Sequence, residues 1–135
     1  MSTGAQTSRL AAGYSLIGAV LGFLGVAAGA FGAHALKSAL AAPMMSAFET
    51  GVRYQLVHAL ALIVVGFVLE RRPSRAVAAA GTLFVAGCVL FSGSLFAMAL
   101  ASAPAWGIVT PFGGACFLGG WACLAAGFAG RGAAR

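Results

Sequence analysis

The sequence predicts an all-α integral membrane protein: a four-helix bundle with both termini cytoplasmic and a short surface helix between spans one and two. Three observations carry that expectation. Hydrophobic residues make up 61% of the 135-residue chain and charged residues 7%, with a mean hydropathy of +1.01. A water-exposed domain carries about 25% charge, so this composition cannot supply a solvated surface. The apolar residues fall into four runs, each long enough to cross a hydrocarbon core of about 30 Å at about 1.5 Å per residue. The arginines gather at one set of run ends, and that bias orients the bundle.

Residues 1–9 read as a short polar cytoplasmic tail, followed by a single four-span domain over residues 10–130 and a basic tail over residues 131–135. Span one covers about Leu10 to Ala33. Its end, AGAFGAHA, resembles a small-residue cleavage site, but an apolar stretch of about 24 residues exceeds the roughly 7–15 of a signal peptide. An uncleaved span is therefore expected. Small residues recur through it at Ala11, Ser15, Gly18, Gly22, Gly25, Gly29 and Gly32, in alternating steps of four and three. Such a 3.5-residue period keeps one seam facing one neighbour. In lipid, helices associate through the close approach that small side chains permit.

Leu36, Leu40, Met44 and Phe48 follow four apart, the pattern of a helix lying on the bilayer surface, and Pro43 suits a first helical turn. Span two covers about Val52 to Leu69. Span three runs from about Ala76 to Ala101, after a loop holding Arg71, Arg72, Pro73 and Arg75. Pro104 and Pro111 bracket the next turn, and span four covers about Ile108 to Ala129. Gly113, Cys116, Gly120, Cys123, Gly127 and Gly130 give it a second seam. The two seams are expected to pack within the molecule, spans one and four against each other, or to form a subunit interface.

With four spans, Arg9, Arg71, Arg72, Arg75, Arg131 and Arg135 share one side, while Lys37 and Arg53 lie on the other. The first side is cytoplasmic by the positive-inside rule. The net charge of +6 does not point to nucleic acid, because the basic residues are scattered between apolar runs and form no patch. Cys88, Cys116 and Cys123 all lie in apolar runs, without CxxC or Cys/His spacing, and read as packing residues.

The scarce polar chemistry collects in FETGVRYQLVHALAL, residues 48 to 62. Counting from Leu69, Arg53 lies about 24 Å and His58 about 17 Å along the helix, the latter near the midplane. Glu49 and Arg53 are four apart in the order that favours a helical ion pair. Tyr54 and His58 form a second such pair on another face. Ser92 and Ser94 on span three reach Arg53's depth and could accept its hydrogen bonds. With His34, these residues form the candidate polar cluster. It reads either as interfacial anchoring and helix–helix bonding or as a small outward vestibule, with His58 as a proton-handling or ligand group.

No catalytic residues, cofactor or metal ligands are assigned. The chain has no Asp, no acid pair and no nucleophile beside a base. Haem would need two histidines at matching depth, and His34 lies about 36 Å from Leu10, at the outer edge, far from the depth of His58.

GAFGAHALK (Gly29 to Lys37), FETGVRYQLVHALAL, SGSLF (Ser92 to Phe96) and TPFGG (Thr110 to Gly114), with Trp121, resemble the small inner-membrane family called domain of unknown function 423. That family is related to eukaryotic transmembrane protein 256. The resemblance covers about Leu16 to Phe128. It departs mildly at Phe96, where the family usually has tyrosine, and at Phe112, where it has an aliphatic residue. It implies a four-span bacterial inner-membrane protein and supplies no mechanism. Function is thus expected to be that of a non-enzymatic accessory, assembly or interaction component, whose partners are membrane lipids and other membrane proteins or a second copy of itself. The alternative is a small transporter or channel subunit using the outward Glu/Arg/His cluster.

Overall fold

The computed structural model describes residues 3–130, and within them every long element is helical. The chain forms α1 (Thr3–Phe31), α2 (Ala42–Arg71), α3 (Arg75–Gly87), α4 (Gly93–Leu100) and α5 (Thr110–Ala129). A wider π turn, Gly32–Leu36, extends α1, and another, Cys88–Ser92, joins α3 to α4. Four segments have the length and hydropathy to cross a membrane: Gly4–Leu36, Ala42–Arg71, Arg75–Leu100 and Pro104–Ala129. Tail residues 131–135 lie outside the described residues.

Three boundaries differ from the sequence reading. The polar N-terminal stretch is helical from Thr3, because Ala5, Gln6 and Arg9 favour helix and nothing breaks the run into span one. At the other end, span one continues through the π turn to Leu36. No separate surface helix follows. The four-residue spacing from Leu36 to Phe48 is divided between the end of span one, a short turn, and the first turns of α2, which starts at Ala42 with Pro43 in its first turn. Leu36, Met45 and Phe48 are buried with Val52 and Ala99 in a small apolar cluster at this end. Packing against α4 thus takes the residues that the pattern assigned to lipid headgroups.

The helices form two tight pairs. α1 packs along α2, and α5 packs along α3, with α2 and the α3–α4 rod in the middle. Each seam therefore lies against its sequence neighbour, and the expected packing of spans one and four on each other does not occur. A Cβ added at Gly18 would stand 2.6 Å from the Ala59 carbonyl oxygen, and one at Gly25 would stand 2.7 Å from Leu56 Cδ2. On α5, a Cβ at Gly120 would meet Phe84 at 2.6 Å and one at Gly127 would meet Val77 at 2.6 Å. Large residues on the central helices fill the space the glycines leave. Glycine on one helix and bulk on its partner is what lets the axes approach.

Polar side chains pin the pairs. Gln55, buried in α2, donates from Nε2 to the Leu21 carbonyl of α1 at 2.9 Å. The Tyr14 hydroxyl bonds the Ala78 carbonyl at 2.9 Å and Thr82 Oγ1 at 2.8 Å, tying α1 to α3. The main core lies around Leu62, Val65, Val77 and Phe84, between those elements. Ser74 caps α3, accepting from the Val77 amide at 3.4 Å. The cysteines are free, with Cys88 buried in that core.

Candidate functional site

The polar residues of span two divide between two sides of α2, as their i, i+4 spacing dictates. His58 is buried and turned toward α5. Trp121 Nε1 donates to His58 Nε2 at 3.1 Å, and the other ring nitrogen, Nδ1, lies 2.7 Å from the Tyr54 carbonyl. An indole N–H only donates, so Nε2 must accept and Nδ1 must carry the proton. The ring is a neutral tautomer with both nitrogens in use, and no lone pair remains for a metal or a haem iron.

Aromatic rings surround it. Phe117 stacks on the imidazole with centroids 3.5 Å apart and planes 9° from parallel. Phe84 and Trp121 stand tilted at 5.3 Å and 5.9 Å. Tyr54, one turn outward, stacks near His58 at 6.1 Å and touches Phe91 at 4.6 Å. Beside this cluster a cleft of about 570 Å³ opens between α2 and α5, with Tyr54, His58, Phe91 and Trp121 in its walls. It offers aromatic surface and the Tyr54 side chain. It holds no nucleophile–base pair.

Glu49 and Arg53 occupy the opposite side of α2. Both are exposed, no ion pair joins them among the described residues, and both line a groove of about 260 Å³ between α1 and α2. The hydrogen bonds that Ser92 and Ser94 could accept from Arg53 are absent among the described residues, because those serines face elsewhere. Ser94 Oγ donates to the Phe91 carbonyl at 2.9 Å and meets Thr110 Oγ1 at 2.7 Å, which fixes the start of α5. Ser92 Oγ is fully buried with no hydrogen-bond partner among the described residues. His34 is exposed in the first π turn. Some ten residues separate the Gly32–Phe48 contact from His58, about 15 Å of helix. Among the described residues, no group of three His, Cys, Asp or Glu side chains is placed to hold a metal.

Gln55 and Trp121 matter more than the sequence indicates. Gln55 stands inside the polar run, where its midmembrane depth is the available signal. Trp121 is marked only by the family resemblance.

Fold and site together define a small four-span helical membrane protein whose polar groups bond helix to helix. The chain belongs to the DUF423 family, described as "protein of unknown function", whose model matches residues 28–114. It is similar to the UPF0382 inner membrane protein YgdD of Escherichia coli (strain K12), with 41% identity over 112 residues, 83% of this chain and 86% of that protein. It is also similar to the UPF0382 membrane protein SH2409 of Staphylococcus haemolyticus, 41% identical over 111 residues (82% and 90%). The UPF0382 membrane protein YwdK of Bacillus subtilis (strain 168) is 38% identical over 109 residues (80% and 89%). No solved structure matches the chain.

Proposed function

We propose that this protein is a non-enzymatic accessory or assembly component of the bacterial inner membrane, with both termini cytoplasmic, acting by lateral contact with lipids and other membrane proteins. One observation carries the reading: the outer helices bury one narrow face each, glycines together with Tyr14 on α1 and Phe117 and Leu124 on α5, and leave other bulky faces bare. Phe23 is 74% exposed on α1, and Leu118 is 75% exposed on α5. A helix that buries so little of itself offers most of its surface to whatever shares the bilayer.

The polar groups support the same reading. His58, Gln55, Tyr14 and Ser94 are committed to bonds between or within helices. A transporter would need Glu49, Arg53 and His58 on one path, yet they line opposite sides of α2. The test is purification in mild detergent, followed by native electrophoresis and mass spectrometry. Retained lipid, a co-purifying membrane protein or a homo-oligomer is the expected result. A bare monomer would remove the basis for the proposal.

A further inference from the structure

We propose that the α1–α2 groove is a binding site for an aminophospholipid with an ethanolamine headgroup, its ammonium on Glu49, its phosphate on Arg53, and an acyl chain along the apolar floor. This rests on the reading that the protein works by lateral contact, and it names the lipid.

The groove is lined by Gly29 and Gly32 on the first span and by Val52 and Leu56 on α2, with Glu49 and Arg53 also in its wall. At about 260 Å³ it falls below the roughly 300–1,000 Å³ of pockets that enclose a small solute. Its open side suits a length of acyl chain whose remainder lies in the bilayer.

The charges are the specific element. Glu49 and Arg53 are spaced for an ion pair, yet each is exposed and neither pairs with the other. Two unpaired opposite charges on one groove call for a zwitterion. Their order along the helix selects which one. From Leu69, Arg53 lies about 24 Å and Glu49 about 30 Å along α2, against a hydrocarbon thickness of about 30 Å. Moving outward along α2, the wall reads Leu56, Arg53, Val52, Glu49, Phe48 and Met45, so the cation lies inward of the anion. A phospholipid carries its phosphate inward of its ammonium, so its two headgroup charges complement that order. Arginine binds phosphate with charge-assisted, two-pronged hydrogen bonds and can extend toward the interface from one turn below it. A primary ammonium donates hydrogen bonds to a carboxylate, whereas the quaternary ammonium of choline has no N–H to give. A glycerol headgroup brings no cation and leaves Glu49 facing the phosphate's charge. His34 and Lys37, exposed at the same end, attract anionic lipids generally. The Glu49 variant is therefore the discriminating one.

The experiment exposes the full-length protein in mild detergent to equal concentrations of phosphatidylethanolamine, phosphatidylcholine and phosphatidylglycerol, and counts retained lipids by native mass spectrometry. Wild type should keep the ethanolamine lipid several-fold over the other two. Glu49→Gln should bring ethanolamine and glycerol lipids level. Arg53→Gln should lower retention of all three several-fold. Gly29→Ala adds a carbon 3.4 Å from Val52 Cγ1 and should weaken retention without reordering the headgroups. Equal retention of the three lipids by wild type overturns the site while leaving lateral contact standing, and so does a headgroup order unchanged by both charge variants. If either charge variant fails to fold, the wild-type order and the Gly29→Ala result decide the matter. A monomer that retains no lipid and no protein partner ends both proposals.

Discussion

Trp121 and His58, 63 positions apart, meet through a 3.1 Å hydrogen bond that joins α5 to α2. Trp121→Phe keeps an aromatic ring, smaller than the indole, and removes the donor, leaving Nε2 unpartnered among aromatic faces. Side-chain hydrogen bonds between membrane helices contribute about 0.6 kcal/mol on average and up to about 1.7. Trp121→Phe should destabilise the protein by that amount, read by circular dichroism as detergent micelles are titrated with dodecyl sulfate. The same substitution in a His58→Ala background should cost markedly less, since the acceptor is already gone. Equal costs in the two backgrounds would show that the bond contributes nothing.

Two glycines one turn apart on α1 should respond in opposite ways. A Cβ at Gly18 would meet the Ala59 carbonyl oxygen at 2.6 Å, and a backbone atom has no rotamer by which to yield. Gly18→Ala must push the helices apart and should cost about 1–3 kcal/mol. At Gly22 the nearest atom is Ala59 Cβ at 3.9 Å, an ordinary contact. Gly22→Ala should be neutral or stabilising by up to about 1 kcal/mol, the helix-propensity gain of alanine over glycine. The same unfolding titration checks both.

That pair also marks how far the sequence could be read. The four spans and the 3.5-residue period were legible, because apolar length and small-residue spacing are local properties of one helix. A glycine, however, says only that something comes close. Gly25 lies under Leu56 and Gly120 under Phe84, and nothing in either seam names those partners. The two faces of span two followed from its helical period, but the hydrogen bond from Trp121 depends on how distant helices pack. Leu36 to Phe48 misled for a related reason. A four-residue apolar spacing looks the same whether it meets lipid or the Ala99 side of a neighbouring helix. The π turns carry no sequence signal that separates them from ordinary helix.

Ser92 is the one buried side chain whose oxygen has no partner among the described residues. A hydroxyl desolvated without a hydrogen bond costs about 1–3 kcal/mol. Ser92→Ala removes the group and only a small volume, so it should leave stability unchanged or raise it by about 1 kcal/mol. Ser94→Ala makes the contrast. It breaks the 2.7 Å bond to Thr110 and should destabilise, loosening the start of α5. Thermal unfolding in detergent distinguishes the two. A loss of stability in Ser92→Ala would show that the hydroxyl makes a favourable contact in the folded protein.

The placement of basic residues argues one further outcome. Thr7 and Leu10 lie beside Pro73, Ser74 and Arg75, and Arg72 and Pro73 lie beside Gly127 and Gly130, so the first turns of α1, the end of α5 and the central loop share one face. That face collects Arg9, Arg71, Arg72 and Arg75 in short connections, where positive charge resists transfer across the membrane. Among the described residues, Lys37 and Arg53 are the lysines and arginines at the opposite end. Reporter fusions after Gly130 should therefore be active in the cytoplasm, and those inserted at Leu40 should be active outside. Replacing Arg71, Arg72 and Arg75 together by glutamine should weaken the bias and give mixed orientations. If a Leu40 fusion reports from the cytoplasm in the unaltered chain, Glu49 and Arg53 face the inner leaflet, and the lipid that fills their groove must come from that side.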